Sequence, residues 1–399
     1  MASPVPRVPD PALVARWGLD PDITFLNHGS FGAAPRAVLE AQGRLRQRLE
    51  AEPVRFFLRE LEGLLDEARA RLARFVGAQT DQLVFVPNAT TGVNTALASL
   101  DLGAGDELLV TDHEYPACRN AVTSLAARTG AHVTVARIPF PIAHPPNAVE
   151  AILAAVTPRT RAALIDHVTS QTGLVLPAAE IVDALRRRGV RVIVDGAHAP
   201  GMLELDLDDL GADLYTGNLH KWVCAPKGAA FLYVRDPDRR PVRPLVTSHG
   251  ASAPAGPRPR LWLEHDWTGT SDPSAWLAVP AALDEVGALL PGGWPEVRER
   301  NRALALAARR VLADRLDATL PCPADMVGSF ASLSLPDGDG VVRAIDPLQD
   351  ALWHRHRIEV PVIPWPAPPR RVLRISAQLY NGLEQYERLA DALGALLEP

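Results

Sequence analysis

Short apolar runs recur between residues 80 and 235 and alternate with amphipathic stretches. The runs read QLVFV, ELLVT, HVTVARI, AALIDHV, VRVIVDG, DLYTG and AAFLYV. Several are rich in β-branched residues, which favour strands. Stretches such as TTGVNTALASL, CRNAVTSLAARTG and PAAEIVDALRRRG lie between them and have helical spacing. The alternation predicts an α/β fold with a mostly parallel sheet of seven strands, covered on both faces.

The last two runs are joined by a connection too short for a crossover helix, so we expect one antiparallel strand. The segment from residue 243 to 274 is rich in Pro, Gly and Ser and predicts a long loop without strand or helix. Further helices follow it, and then the strands GSFASLSLP, IEVPVIPW and RVLRISAQLYN and a last helix. We therefore predict a large domain over residues 20–280 and a smaller α+β domain from residues 1–19 and 281–399.

Composition narrows the classes of partner. The chain has 399 residues, of which 47% are hydrophobic, and its net charge is −6 without a long basic run, which argues against nucleic acid. Its 3 cysteines are far apart in sequence, which argues against disulfides and thiolate metal sites and favours a cytoplasmic location. We expect no metal site and, since no apolar segment is long enough to cross a bilayer, no membrane partner.

Three of the predicted strands are followed by residues with distinctive chemistry. Thr90 and Thr91 begin a helix, Asp195 ends a buried run, and Lys221 follows the next run. Ligands of open α/β sheets bind at the carboxyl ends of the strands, and helix N-termini favour phosphate. A lysine, a buried acid and a phosphate site are what pyridoxal 5′-phosphate requires. Each residue alone has a structural alternative, namely a helix cap, a turn aspartate and a surface lysine.

Several motifs together resemble one enzyme family. VDGAHAPG and TGNLHKW surround Asp195 and Lys221, and FLNHGSFGAAP, NATTGVN, TDHEYPA, WTGTSDPS and RVLRISAQLYN are spread over nearly the whole chain. This set resembles the fold-type I, class V aminotransferase superfamily of pyridoxal 5′-phosphate enzymes, and most closely its isopenicillin N epimerase-like subgroup. The resemblance implies a fold-type I enzyme that acts as a homodimer on a small amino acid substrate.

The resemblance also implies roles for individual residues. Lys221 would bind the cofactor covalently and act as acid and base at Cα, and Asp195 would pair with the pyridine nitrogen. Tyr115 would stack on the ring, and His198 would lie near its phenolic oxygen, both with catalytic roles. Other cofactor-binding residues would be Thr90, Thr91, Ser170, Asn218, His220 and, from a second subunit, Thr270. Arg374 would bind the α-carboxylate, with Asn27 and His28 bordering the substrate.

The resemblance implies epimerisation or racemisation at Cα, which needs a second acid for the opposite face. Tyr115, His28 and His198 are the candidates, and the sequence does not choose among them. A carbon–sulfur β-lyase acting on a cysteine conjugate or sulfoxide, as in ergothioneine formation, is the alternative. An aminotransferase is less favoured, as is a cysteine desulfurase, because the segment before RVLRIS has no cysteine. A catalytically silent scaffold would have lost Lys221 or Asp195, but both are present. A nicotinamide dehydrogenase would need the motif GxGxxG after an early strand, and the segment VPNATTG does not supply it.

We predict that Lys221 carries the cofactor. Borohydride reduction followed by peptide mapping should place the pyridoxyl group on Lys221, because this lysine follows the strand next to the one that ends at Asp195. A label on Lys227 would contradict the assignment.

Overall fold

The computed structural model describes residues 5–254 and 256–397; parts of the predicted small domain, residues 1–4 and 398–399, lie outside these ranges. The helices are α1 (Pro11–Val14), α2 (His28–Phe31), α3 (Arg36–Ala51), α4 (Pro53–Arg55), α5 (Leu61–Val76), α6 (Ala89–Ala98), α7 (Pro116–Thr129), α8 (Pro146–Ala154), α9 (Ala178–Arg186), α10 (Leu207–Leu210), α11 (Arg260–His265), α12 (Ser274–Leu277), α13 (Val279–Gly287), α14 (Gly293–Leu316), α15 (Pro347–His356) and α16 (Leu383–Leu397). The strands are β1 (Thr24–Phe25), β2 (Leu83–Val86), β3 (Glu107–Thr111), β4 (His132–Ala136), β5 (Thr160–Asp166), β6 (Arg191–Asp195), β7 (Leu214–Asn218), β8 (Ala230–Val234), β9 (Phe330–Leu335), β10 (Ile358–Glu359), β11 (Val362–Pro364) and β12 (Arg371–Ser376).

The seven predicted strands form one sheet in the order β2-β8-β7-β6-β5-β3-β4. Strands β3 to β7 pair in parallel, whereas β8 pairs antiparallel with both β7 and β2. The prediction of a mostly parallel sheet with one antiparallel strand is confirmed. The parallel strands and β2 therefore end at the same edge of the sheet, where their connecting loops meet.

Both faces of this sheet are buried, because successive side chains of a strand point to opposite faces. In β6, Val192 and Val194 pack in one hydrophobic cluster while Ile193 packs in the other. In β5, Leu164 and Ile165 divide in the same way. Burial on two faces explains why these strands read as continuous apolar runs rather than as an alternating pattern.

A second sheet is built from the C-terminal part of the chain. Strands β11, β12 and β9 are antiparallel neighbours in that order, and α14 and α16 pack against each other beside them. Strand β1 pairs in parallel with β10, so the N-terminal segment contacts the C-terminal part. The domain boundaries at residues 19 and 281 stay a prediction. Within the described residues, none of the helices combines the length and apolarity that crossing a membrane requires.

The prediction of a loop without helix between residues 243 and 274 is wrong in one part, because α11 lies within it. The helix is stabilised by an ion pair at i,i+4 spacing between Arg260 and Glu264, 2.7 Å apart. Its Trp262 ring lies 4.0 Å from the guanidinium carbon of the buried Arg69. These tertiary contacts outweigh the high content of Pro and Gly in the neighbouring sequence.

Helix α6 lies unusually close to the sheet at Gly92. A Cβ atom at this position would be 2.1 Å from Oγ1 of Thr216 in β7, and that hydroxyl donates a 2.8 Å hydrogen bond to the carbonyl of Phe231. Only glycine allows this approach, which brings the start of α6 next to the end of β7.

We predict that Gly92→Ala lowers the free energy of unfolding by about 1–3 kcal/mol, because the added methyl overpacks the contact with Thr216. Gly43→Ala in α3 is the matched control, since no atom lies within 4 Å of its added Cβ. The control should raise stability by about 0.5–1 kcal/mol. Urea unfolding measures both, and equal effects would contradict the tight packing of α6.

Candidate active site

A cavity of about 390 Å³ lies where the parallel strands end. Eight of the residues predicted from the sequence line it, and they come from the last positions of β6 and β7 and from the segments that follow β2, β3, β5, β6 and β7. These are Thr90, Tyr115, Ser170, Asp195, His198, Asn218, His220 and Lys221. Residues that are distant in sequence therefore meet at one sheet edge, as expected for an open α/β sheet.

Lys221 lies just beyond the end of β7, and its Nζ is 3.0 Å from Nε2 of His198. Burial is the main cause that lowers the pKa of Lys221 to about 7, and the positive charge of Arg374 is the second cause. A large fraction of the amine is therefore neutral near pH 7, which is the form that attacks a carbonyl. The chain contains only one other lysine, Lys227, whose Nζ donates a 2.9 Å hydrogen bond to the carbonyl of Gly32.

Asp195 ends β6 and is 3% exposed. Its Oδ1 accepts a 2.9 Å hydrogen bond from the backbone N–H of Ala197, and the thiol of Cys118 donates to Oδ2 over 3.3 Å. Burial raises the pKa of this carboxyl. Two other buried acids, Asp166 and Glu114, lie near it. The sequence analysis missed both, although Asp166 stands at the end of the apolar run AALID, just as Asp195 ends the run VRVIVD.

The N-terminus of α6 opens towards the cavity through Asn88, Ala89 and Thr90. Asn88 caps the helix, since its Oδ1 accepts hydrogen bonds from the backbone N–H of Thr91 at 2.8 Å and from the Thr91 hydroxyl at 3.1 Å. Asn218 accepts a 2.8 Å bond from the Ala89 N–H. Thr91 and Asn218 therefore support the helix start, and Asn218 and Thr90 also line the cavity. Such a terminus attracts anions.

His220 lies on the same side of the cavity. Its Nδ1 is 3.1 Å from the carbonyl of Ala229. Burial is the main cause that lowers the pKa of His220 to about 4, and the positive charge of Lys221 is the second cause. Its imidazole is therefore neutral near pH 7.

Arg374 in β12 of the second sheet lies beside the cavity, where it contacts Ser30 and Ser170, two residues that line it. Its Nη2 donates a 2.8 Å hydrogen bond to the Ser30 hydroxyl, and its Nη1 donates to the Ser170 carbonyl. The Phe330 ring lies 5.4 Å from its guanidinium carbon. Burial lowers its pKa to about 10, so it stays charged at neutral pH. Ser30 was missed, although it belongs to the motif FLNHGSFG.

Five predicted residues do not line the cavity: Thr91 and Arg374, described above, and three others. His28 is fully buried, with its Nδ1 2.8 Å from Oη of Tyr380 and its Nε2 3.0 Å from the carbonyl of Lys221, so it supports the backbone of the lysine. Asn27 accepts a 2.5 Å hydrogen bond from Ser30 and donates to Glu359 over 2.8 Å. Thr270 is exposed on a loop that an ion pair between Arg46 and Asp272 anchors to α3.

The aminotransferase class-V family matches residues 30–333. The chain belongs to this family. An isopenicillin N epimerase from Streptomyces clavuligerus is 39% identical over 393 residues, covering 96% of each protein. A probable chloroplastic L-cysteine desulfhydrase from Arabidopsis thaliana is 33% identical, covering 95% of this chain and 84% of that protein.

Solved structures of this family have the same fold. A cystine C–S lyase in complex with its reaction product cysteine persulfide superimposes with a TM-score of 0.77 at 25% identity, covering 94% of this chain and 98% of the lyase. A cysteine desulfurase from Escherichia coli superimposes with a TM-score of 0.79 at 22% identity, covering 97% and 98% of the two chains, which bears on the fold alone. The fold is therefore the fold-type I architecture of class V enzymes.

This family member is an enzyme whose cofactor is pyridoxal 5′-phosphate, which is covalently linked to glycine in a variant of the C–S lyase. The residues present fit the cofactor. Lys221 supplies a buried amine, Asp195 a buried acid, and the N-terminus of α6 an anion site. His198 keeps its Nδ1 without a hydrogen-bond partner in the part of the chain that the structure describes, as a group facing a ligand site would.

We predict that the Lys221 amine of the cofactor-free protein titrates with a midpoint of about 7. Reductive methylation with formaldehyde and cyanoborohydride at a series of pH values, followed by mass spectrometry, measures this midpoint, and Lys227 provides the internal comparison. Arg374→Gln should raise it, because a positive charge that disfavours the lysine cation is removed. A Lys221 midpoint close to 10.5, the ordinary lysine value, would contradict the effect of burial.

Proposed function

We propose that this enzyme is an amino acid epimerase of the isopenicillin N epimerase type. The proposal rests chiefly on one observation: two groups able to carry a proton, Lys221 and Tyr115, line one cavity from segments that follow separate strands. The identity of 39% with two isopenicillin N epimerases, each over at least 95% of this chain, supports it. Epimerisation requires that a proton leave Cα on one face and return on the other.

Arg374 supports an amino acid as the substrate. Its guanidinium is held by Ser30 and the Ser170 carbonyl and is backed by the Phe330 ring, so it is oriented before the substrate binds. A fixed guanidinium forms two parallel hydrogen bonds with a carboxylate, which a lysine cannot reproduce. The α-carboxylate of the substrate would therefore be held beside Ser30, with Cα directed towards the cavity.

In this proposal, Lys221 and Tyr115 would approach such a Cα from different sides. When bound, pyridoxal 5′-phosphate withdraws electrons from Cα and so makes its proton acidic. Lys221 would take this proton through its amine, about half of which is neutral near pH 7. Tyr115 follows β3, which three strand spacings, about 14 Å, separate from β7. Its side chain is 42% exposed, and its phenol is close enough to Arg374 to affect the arginine pKa.

The other two candidates for the second acid have less support. His28 is buried behind the backbone of Lys221 and does not reach the cavity. His198 is hydrogen bonded to the Lys221 amine itself, so it lies on the side that the lysine already serves. Tyr115 is therefore our assignment for the acid that returns the proton.

A carbon–sulfur β-lyase is the second candidate. It is favoured by the relatives named as L-cysteine desulfhydrases, at 33% identity, and by the fold of the cystine C–S lyase. Such a reaction needs Lys221 and a leaving group on Cβ but no second acid at Cα. A cysteine desulfurase has less support, because Cys118, Cys224 and Cys322 are all buried and lie outside the segment that precedes β12.

We also propose a homodimer in which the loop that carries Thr270 reaches the phosphate of the second subunit's site. The exposure of Thr270, together with the anchoring of the loop base by Arg46 and Asp272, supports this arrangement. A cytoplasmic location is consistent with the three cysteines, all of which are free thiols.

The reaction is tested by incubating the cofactor-loaded enzyme in deuterated water with isopenicillin N, with L-cysteine and with a panel of amino acids. We expect inversion at Cα with one deuterium incorporated there, measured by chiral chromatography and mass spectrometry. Release of pyruvate, ammonia and sulfide from L-cysteine, without inversion of any substrate, would contradict the epimerase and favour the lyase.

The Tyr115→Phe variant tests the assignment of the second acid. We expect inversion to fall at least about 100-fold, since a general acid contributes about 10²–10⁴-fold. The absorbance of the bound cofactor should persist, because a phenyl ring can still stack. In deuterated water, the variant should still exchange the Cα proton of one enantiomer, namely the one whose proton Lys221 removes. Inversion at the wild-type rate would show that Tyr115 is not the second acid.

A further inference from the structure

Three carboxyl groups and one thiol are buried together behind the cavity. Asp166 ends β5 and is the direct register partner of Asp195 in β6. Glu114, in the loop after β3, has a carboxyl oxygen within 4.8 Å of an Asp195 oxygen and of the Cys118 sulfur. The exposed fractions of Glu114, Asp166 and Asp195 are 4%, 2% and 3%. Asp166 and Asp195 line the cavity, so the cluster adjoins the expected position of the cofactor ring.

The two additional acids have unsatisfied oxygens. Glu114 accepts a 3.2 Å hydrogen bond from the Tyr115 N–H through Oε1, but its Oε2 and Oδ2 of Asp166 have no partner in the described ranges. None of the three carboxyls forms an ion pair with another described residue. The thiol of Cys118 donates to Asp195, and burial raises its pKa, so it adds no negative charge.

Few groups of opposite charge face this cluster. Arg119 on α7 and Lys221 after β7 are the positive groups, and Arg119 donates its hydrogen bond to the carbonyl of Thr111 rather than to an acid. Tyr215 on β7 and His167 after β5 are hydrogen bonded to each other at 3.0 Å, and burial raises the pKa of Tyr215 and lowers that of His167 to about 4, so both are uncharged at neutral pH.

Several negative charges cannot coexist at low cost in such a place. Buried like charges strongly oppose each other's ionisation, and each loses its hydration. Burial accordingly raises the pKa of Glu114 and of Asp166 well above the ordinary values. The negative charge of Asp195 raises the pKa of Asp166 further. The pKa of Asp195 is also raised by burial, but Lys221 and two hydrogen bonds favour its charged form.

We propose that Glu114 and Asp166 are positioning residues that remain protonated and confine the single negative charge of this cluster to Asp195, which faces the cofactor ring nitrogen. A pyridinium nitrogen brings one positive charge, which one carboxylate balances. The two neutral acids occupy buried space beside Asp195 without competing with it for that charge. The proposal depends on the cofactor and not on the substrate, so it and the epimerase proposal can fail separately.

The stability of the cofactor-free protein provides the first test. A carboxyl that keeps its proton only in the folded state stabilises the fold at low pH. That stabilisation is lost as the pH rises above the unfolded value of about 4 towards the folded pKa, with a tenfold change in the unfolding constant per pH unit for each proton. Urea unfolding between pH 5 and 9 measures this slope. The difference between the wild type and each variant isolates the contribution of one acid, because Lys221 and the buried histidines contribute to both.

Asp166→Asn and Glu114→Gln replace a protonated acid by an amide of the same shape. Each variant should fold. Each should take up about one proton fewer on folding, so its unfolding constant should change about tenfold less per pH unit than that of the wild type. Glu67→Gln, at an exposed position of α5, is the control and should behave as the wild type. Unchanged slopes in both cluster variants, or failure of both to fold at every pH, would overturn the proposal, because amides should replace neutral acids without loss.

Cofactor affinity separates a neutral role from an ionic one. Pyridoxal 5′-phosphate binding at pH 7, followed by absorbance, should change by no more than about threefold in Asp166→Asn and Glu114→Gln. The absorption maximum should be unchanged. Asp195→Asn should bind pyridoxal 5′-phosphate at least about tenfold more weakly, because a charge interaction worth one pKa unit corresponds to a factor of ten in affinity. A tenfold or greater loss in Asp166→Asn or Glu114→Gln would show that the replaced acid acts as an anion, which contradicts the proposal.

Discussion

The shared edge at which β2, β3, β5, β6 and β7 end is the constraint on which the rest of the structure depends. Parallel pairing forces their following segments to one side of the sheet. Lys221, Asp195 and the start of α6 therefore meet although more than one hundred residues of chain separate the first of them from the last. The close approach of α6 at Gly92 and the antiparallel insertion of β8 between β2 and β7 complete this arrangement.

Burial then gives the residues at this edge their chemical character. The same loss of hydration lowers the pKa of Lys221 to about 7 and raises that of Asp195. Lys221 becomes a neutral nucleophile, while its neighbour His198 is an uncharged imidazole that can accept its hydrogen bond. A cavity with these groups needs a ligand that supplies a positive ring nitrogen and a phosphate, and pyridoxal 5′-phosphate supplies both.

The second sheet contributes Arg374, the residue that we propose binds the substrate carboxylate. Arg374 lies in the middle of β12, and its contacts with Ser30 and Ser170 connect three separate regions of the chain. Asn27 and Glu359 extend the same network towards the paired strands β1 and β10. The position of the guanidinium therefore depends on how the C-terminal part and the N-terminal segment pack on the large sheet.

The sequence by itself determined the seven strands, their mostly parallel pairing and the residues that follow them, because burial on two faces leaves a strong local pattern of short apolar runs. It also identified Lys221, Asp195 and Arg374 through motifs. Only the tertiary structure decided which side chains face the cavity. Thr91 is hydrogen bonded to the helix cap Asn88, and His28 lies behind Lys221, while Ser30 and Asp166 border the cavity. Helix α11 was likewise decided by Trp262 and Arg69, which lie almost two hundred residues apart. Such contacts join distant segments, and no local spacing in the sequence records them.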